Sequence, residues 1–200
     1  MKEKEQKMQG KDYISCGILS LLCIVGMLIA AIMNISGYTA AFYASAASFF
    51  IGILYVITVC KVPKKGAVIV FSIVPCAYFF TSGAIEGIIG SAGIAVFAVI
   101  AEWILSKNRK SMKRITISCV IYTLYMSVIG MIEPFVFTDD YCGNALEHGI
   151  NPTVVENMRE MYDLKYMWLV VIAATLLMTL LGVAVGKGIM KKHLKKAGVI

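Results

Sequence analysis

The chain has 200 residues, 59% of them hydrophobic and only 16% charged, with 19 Lys and Arg against 12 Asp and Glu for a formal net charge of +7. So little polar surface cannot cover a soluble globule, and the composition reads as an integral membrane protein. In that setting the positive charge reflects topology and contact with anionic lipid, which argues against nucleic acid as a partner.

In chain order, a polar start with Lys2, Lys4, Lys7 and Lys11 precedes an apolar segment at 13–33. It shows no small-x-small cleavage site before the next span, so it is expected to remain as a span and not be removed as a signal peptide. A short connection, 34–38, leads to a second segment at 39–59, followed by Lys61, Lys64 and Lys65. The third, 67–81, is shorter and contains Pro75, a pattern that also suits a re-entrant hairpin. Basic loops flank the unit made by this segment and the next, 84–105, and they fit only if 67–81 crosses. Segments 115–137 and 167–186 complete six spans, most of them near the roughly 20 apolar residues that a bilayer crossing needs. The expected fold is all-α, a single six-helix membrane domain.

Six crossings put both termini on one side. Seventeen Lys and Arg then share that side, against two in the long connection at 137–166. The positive-inside rule makes the basic side cytoplasmic. The opposite connection is acidic, with Asp139, Asp140, Glu147, Glu156, Glu160 and Asp163 against Arg159 and Lys165. Within it Asn151 followed by Pro152 signals a helix start, and Val155, Met158 and Tyr162 repeat with helical spacing. A short amphipathic helix is expected there. Helices that rest on membranes usually present Lys and Arg to the headgroups, so its acidic face favours packing over the outer mouth of the bundle, in the manner of a lid.

Ionisable groups inside spans are costly, about 2.5 to 3.5 kcal/mol at the bilayer centre, and three need a reason: Glu86, Glu102 and Glu133. Glu86 and Glu133 fall within about a turn of the outer ends of their spans. Tyr122, Tyr125, Ile129 and Glu133 follow helical spacing, so two phenols and a carboxyl are expected on one face running inward, a suitable pocket wall. Ordinary packing between helices, with hydroxyl hydrogen bonds, is the default reading of a lone tyrosine in a span. Glu102, beside Trp103 and ahead of Lys107 and Arg109, suits a structural role or a partner contact. Small residues four apart, among them Cys16 and Ser20 in the first span, mark close helix approach.

The six cysteines form no CxxC pair, and only Cys142 falls in the external connection. The two histidines, His148 and His193, fall on opposite sides, so no HExxH or histidine-rich zinc site can form. No Walker A loop or GxSxG elbow is present. The chain is expected to be no enzyme and to hold no cofactor or metal of its own, its energy coming from another chain or an ion gradient.

The C-terminal run from Gly186 to Ile200, GKGIMKKHLKKAGVI, resembles the ending of the Trep_Strep (MptS-type) family of small bacterial membrane proteins. Lys61-Val62-Pro63-Lys64-Lys65-Gly66 is similar to that family's first cytoplasmic loop, and Asp139-Asp140-Tyr141 to the start of its long external loop. The resemblance implies a substrate-binding S component of an energy-coupling factor (ECF) transporter, a bacterial micronutrient importer of the cytoplasmic membrane. Such a component binds solute near the outer face and docks on a transmembrane coupling subunit driven by two ATPase subunits that use ATP. Carried onto this chain, docking falls on Cys16 and Ser20, where related S components more often carry alanine. The substrate site draws on Glu86, Tyr122, Tyr125, Glu133, Asp139, Asp140 and Tyr141, with Asn34 and Tyr38 on the opposite wall. Tyrosines and carboxyls together suit an aromatic solute, neutral or cationic. A competing reading is a self-sufficient secondary transporter that couples protons through Glu86 or Glu133; a membrane enzyme or regulatory anchor is a third, with no motif to support it.

Overall fold

The computed structural model describes residues 7–81 and 85–196, with the side chains of 85–86 and 193–196 outside that description. Among the described residues the chain is helical throughout, without a β-strand. Six helices form the body: α1 (Gly10–Ala30), α3 (Tyr43–Lys61), α4 (Ala67–Phe80), α5 (Ile85–Ser106), α6 (Met112–Val128) and α10 (Met167–Lys196). Four short ones, α2 (Gly37–Ala40), α7 (Ile132–Val136), α8 (Thr138–Glu147) and α9 (Pro152–Tyr162), gather at one end. Four of the described helical stretches are long and apolar enough to cross a membrane: Gly10–Ile35, Tyr43–Lys61, Gly87–Ser106 and Met167–Lys192. With 14 residues α4 is about 21 Å long, and with 17 residues α6 is about 26 Å.

Around the bundle α1 packs on α4, α4 on α5, α5 on α6, α6 on α10, α10 on α3 and α3 on α1, while α3 also meets α6 across the middle. The polarity runs opposite to that of a soluble domain. Ile14, Ile18, Leu21, Val25, Val99, Leu169 and Leu177 are exposed, while Ser20, Ser48, Ser118, Thr123, Thr175 and Thr179 are fully buried. An apolar exterior needs a hydrocarbon solvent. The buried hydroxyls satisfy themselves across helices: Ser45 meets Thr175 at 3.1 Å and Thr123 meets Thr179 at 2.8 Å.

The end that holds the basic loops is tied by two carboxylates. Asp12 accepts from Lys64 Nζ at 2.7 Å, which fastens the start of α1 to the loop between α3 and α4. Buried Glu102 accepts from the backbone N–H groups of Gly66 and Val68 at 2.6 and 3.2 Å and pairs with Arg109. Gly66 sits at φ +90°, where only glycine is unstrained, and has no side chain to cap α4. A carboxylate from α5 caps that helix instead.

Several expected boundaries shift. The second long helix begins at Tyr43, with the separate turn α2 before it, and the fifth span does not run unbroken to 137. It ends at Val128, where Ile129 and Gly130 both donate to the Tyr125 carbonyl at 2.9 Å, and resumes as α7. Trp168 Nε1 donates to the Ser127 carbonyl left open by this ending, at 2.7 Å. Helix α10 continues to Lys196, beyond the expected end at 186. The stretch 138–147, expected as loop, is α8.

Candidate functional site

The C-terminal ends of α1, α4 and α6 and the N-terminal ends of α3 and α5 meet opposite the basic loops and enclose a cavity of about 580 Å³. Its floor and walls include Met27, Ala44, Met126 and Tyr125, and Tyr43, Tyr78 and Phe79 add aromatic surface. Gly87 and Gly90 leave α5 without side chains along this face, and an added Cβ at Gly90 would come within 3.4 Å of Phe79. Over the cavity lie the short helices: α7 contributes Glu133 and Pro134, α8 Tyr141, and α9 Tyr162. Cavities of this size, mostly apolar with a few polar groups, are the usual form of small-molecule sites.

Local chemistry holds the covering helices in place. The Asn151 side chain accepts from Thr153 N–H at 2.9 Å, with Pro152 at the first helical position, and α9 buries Val155, Met158 and Tyr162. Glycine at position 37 permits the seat on α2, because a Cβ there would lie 2.2 Å from the Val154 carbonyl. The α8 and α9 helices close on each other around buried Cys142, Ala145 and Val155, and an Asp139–Arg159 ion pair bridges them on the outside. Tyr162 stacks edge to face on both Phe135 and Tyr141, with centroids 5.1 and 5.7 Å apart, and burial pushes its phenol well above the ordinary tyrosine range.

Of the residues expected at the site, Asn34, Tyr125, Glu133 and Tyr141 line the cavity together. Tyr122 does not; it lies in the core against Tyr55 and Phe71, and its hydroxyl accepts from Ser72 at 3.2 Å. The helix break after Val128 also takes Glu133 off the Tyr122 and Tyr125 face, so Glu133 reaches the cavity from α7. Asp139 and Asp140 are exposed, as are all six acidic residues of the connection, so the acidic side faces outward and the apolar side covers the cavity. Tyr38 is half exposed and lies 3.5 Å from Glu160 on the outer surface, away from the lining. The Glu86 side chain lies outside the described residues.

Cys16 and Ser20 are both fully buried against α4 and its loop, so this small-residue pair packs within the bundle. Residues missed from the sequence are Tyr43, Tyr78 and Phe79. Their position at the outer ends of spans was the available signal, but interfacial aromatics share it.

No curated protein and no solved structure matches the chain. A family model described as hypothetical bacterial integral membrane protein (Trep_Strep) matches residues 10–196, and the chain is a multi-pass membrane protein that belongs to this family.

Proposed function

We propose that the protein is the substrate-binding S component of an ECF-type micronutrient importer. One observation carries the reading: a roomy, aromatic-lined cavity lies at the end of the bundle opposite the basic loops, beneath two short helices. In this reading α4 and α6 cross with the four longer helices, making six crossings. Both termini and the basic loops are cytoplasmic, and α8 and α9 cover the outer mouth. The two shorter helices cross where flanking side chains reach the interfaces or the bilayer thins locally. The chain binds solute without catalysis and without a cofactor of its own. A transmembrane coupling subunit and two ATPase subunits supply the work of release. Because Cys16 and Ser20 are buried, the coupling subunit meets α1 on its exposed side, at residues such as Ile14, Ile18 and Leu21.

The test is uptake into cells or liposomes with and without an ECF module, combined with mass spectrometry of small molecules that co-purify with the chain. Uptake that requires the module, together with a co-purified solute, supports the proposal. Uptake by the chain alone under a pH gradient would overturn it in favour of a secondary transporter, for which Glu133 at the cavity is the described candidate for proton coupling.

A further inference from the structure

We infer that the cavity selects organic cations, solutes whose positive charge sits on a quaternary or alkylated nitrogen in an aromatic or apolar body. This rests on reading the cavity as the solute site. The charge inventory carries the inference: Glu133 is the only side chain among the described lining residues that belongs to an acidic or basic type. No Lys, Arg or His lines the described wall, so a phosphate or carboxylate solute would be stripped of water with no cation to meet it.

What the wall offers in place of cations is tyrosine. Tyr43, Tyr78, Tyr125, Tyr141 and Tyr162, drawn from five different helices, surround the space. Aromatic faces attract a cation through the ring quadrupole, most effectively where water is excluded, and recognition of quaternary ammonium groups is their commonest use as a cage. A strongly hydrated inorganic cation needs several oxygen ligands to replace its water, which suits a single carboxyl among rings poorly. An alkylated nitrogen is weakly hydrated and asks for little beyond π faces and one opposing charge. The aliphatic lining from Met27, Ala44 and Met126 accommodates the remainder of such a solute.

The outer surface acts in the same direction. All six acidic residues of α8, α9 and the turn after them are exposed around the covered mouth. They do not touch the cavity. Their field raises the local concentration of cations and lowers that of anions at the entrance, an effect that weakens with salt.

N-methylquinolinium, quinoline and quinoline-4-carboxylate present one ring system as cation, neutral molecule and anion at mildly alkaline pH. Calorimetry on the purified protein in lipid nanodiscs should give N-methylquinolinium about tenfold tighter binding than quinoline, and no binding of the carboxylate. Glu133→Gln should remove most of that preference, bringing the ratio of N-methylquinolinium to quinoline affinity close to one, with its melting temperature as the folding control. Should Glu133→Gln fold poorly, Tyr141→Phe and Tyr141→Leu decide the matter. The ring-retaining variant keeps the cation preference and the ring-deleting one loses it. Equal binding of quinoline and N-methylquinolinium, or a preference untouched in all folded variants, overturns the inference and leaves the cavity as a solute site. Failure of all three compounds to bind overturns both.

Discussion

Proline 75 stands inside α4, where it has no N–H to give the carbonyl of Phe71 four residues back. That carbonyl accepts instead from Ser20 Oγ of α1, at 2.5 Å, in a fully buried setting. The pair explains a serine that resembles a docking residue: it satisfies an acceptor that proline leaves open. Ser20→Ala should therefore destabilise the protein by about 1 to 3 kcal/mol, the cost of an unsatisfied buried carbonyl. In Pro75→Ala the helix can supply its own N–H, so the serine matters less there. A double-mutant cycle on thermal unfolding in detergent checks this, and independent, additive effects would reject it. Cys142 allows a second residue-scale prediction. It is fully buried between α8 and α9, and burial pushes its thiol above the ordinary range, so the reactive thiolate is scarce at neutral pH. Maleimide should label Cys142 at least about tenfold more slowly than an exposed cysteine placed at Asn144, and raising the pH should narrow the gap only where the thiol becomes accessible.

Between elements, α3 and α10 pack backbone against backbone, and glycine makes this possible. A Cβ on Gly182 would lie 2.2 Å from the Phe49 carbonyl, and one on Gly52 or Gly186 would lie 2.9 Å from the Thr179 or Ile53 carbonyl. Gly182 and Gly186 form a small-xxx-small pair, so the backbones themselves pack. Gly182→Ala should lower stability by about 1 to 3 kcal/mol because backbone, unlike a flexible side chain, cannot move aside, whereas Gly188→Ala, with open space at its Cβ, should be silent. Comparative melting of the two variants measures the difference. These contacts show what was legible from sequence and what was not. Apolar runs are a property of residue type and length, so the long helices could be read directly. The break at 128–131 depends on the Tyr125 carbonyl taking two donors and on Trp168 covering the Ser127 carbonyl, contacts that arise only in the folded bundle. Cys16 and Ser20 are ambiguous for a related reason, since a small-residue pair has the same spacing whether its partner lies in the same chain or another; here both side chains are buried within the bundle. Of the residues expected near the outer mouth, Asn34, Tyr125, Glu133 and Tyr141 line the cavity, because the helix ends and the start of the long connection converge there. Acidity in the long connection suggested a lining, yet the helical faces turn it to solvent.

For the whole molecule, the separation of charge and the placement of the cavity make one joint claim about orientation. Asp12, Lys64, Glu102 and Arg109 interlock at one end, and the cavity with α8 and α9 occupies the other. If the basic end is cytoplasmic, every helix direction follows, and α4 and α6 must cross despite lengths of 14 and 17 residues. A re-entrant α4 would instead put the loops at its two ends on the same side, and Lys64 with the 107–114 turn could not then share one face with the start of α1. Single cysteines at Glu156, Asn108 and Lys192, all exposed positions, distinguish these arrangements in a background with the six native cysteines replaced. An impermeant maleimide should label Glu156→Cys in intact cells, and should label Asn108→Cys and Lys192→Cys only after permeabilisation. Labelling of Asn108→Cys from outside would invert the bundle and place the cavity on the cytoplasmic side, where a solute-capturing role for an importer has no physical basis. The acidic connection at 137–166 makes the expected pattern self-consistent, because translocating it carries only Arg159 and Lys165 outward while seventeen basic residues remain on the side that retains positive charge.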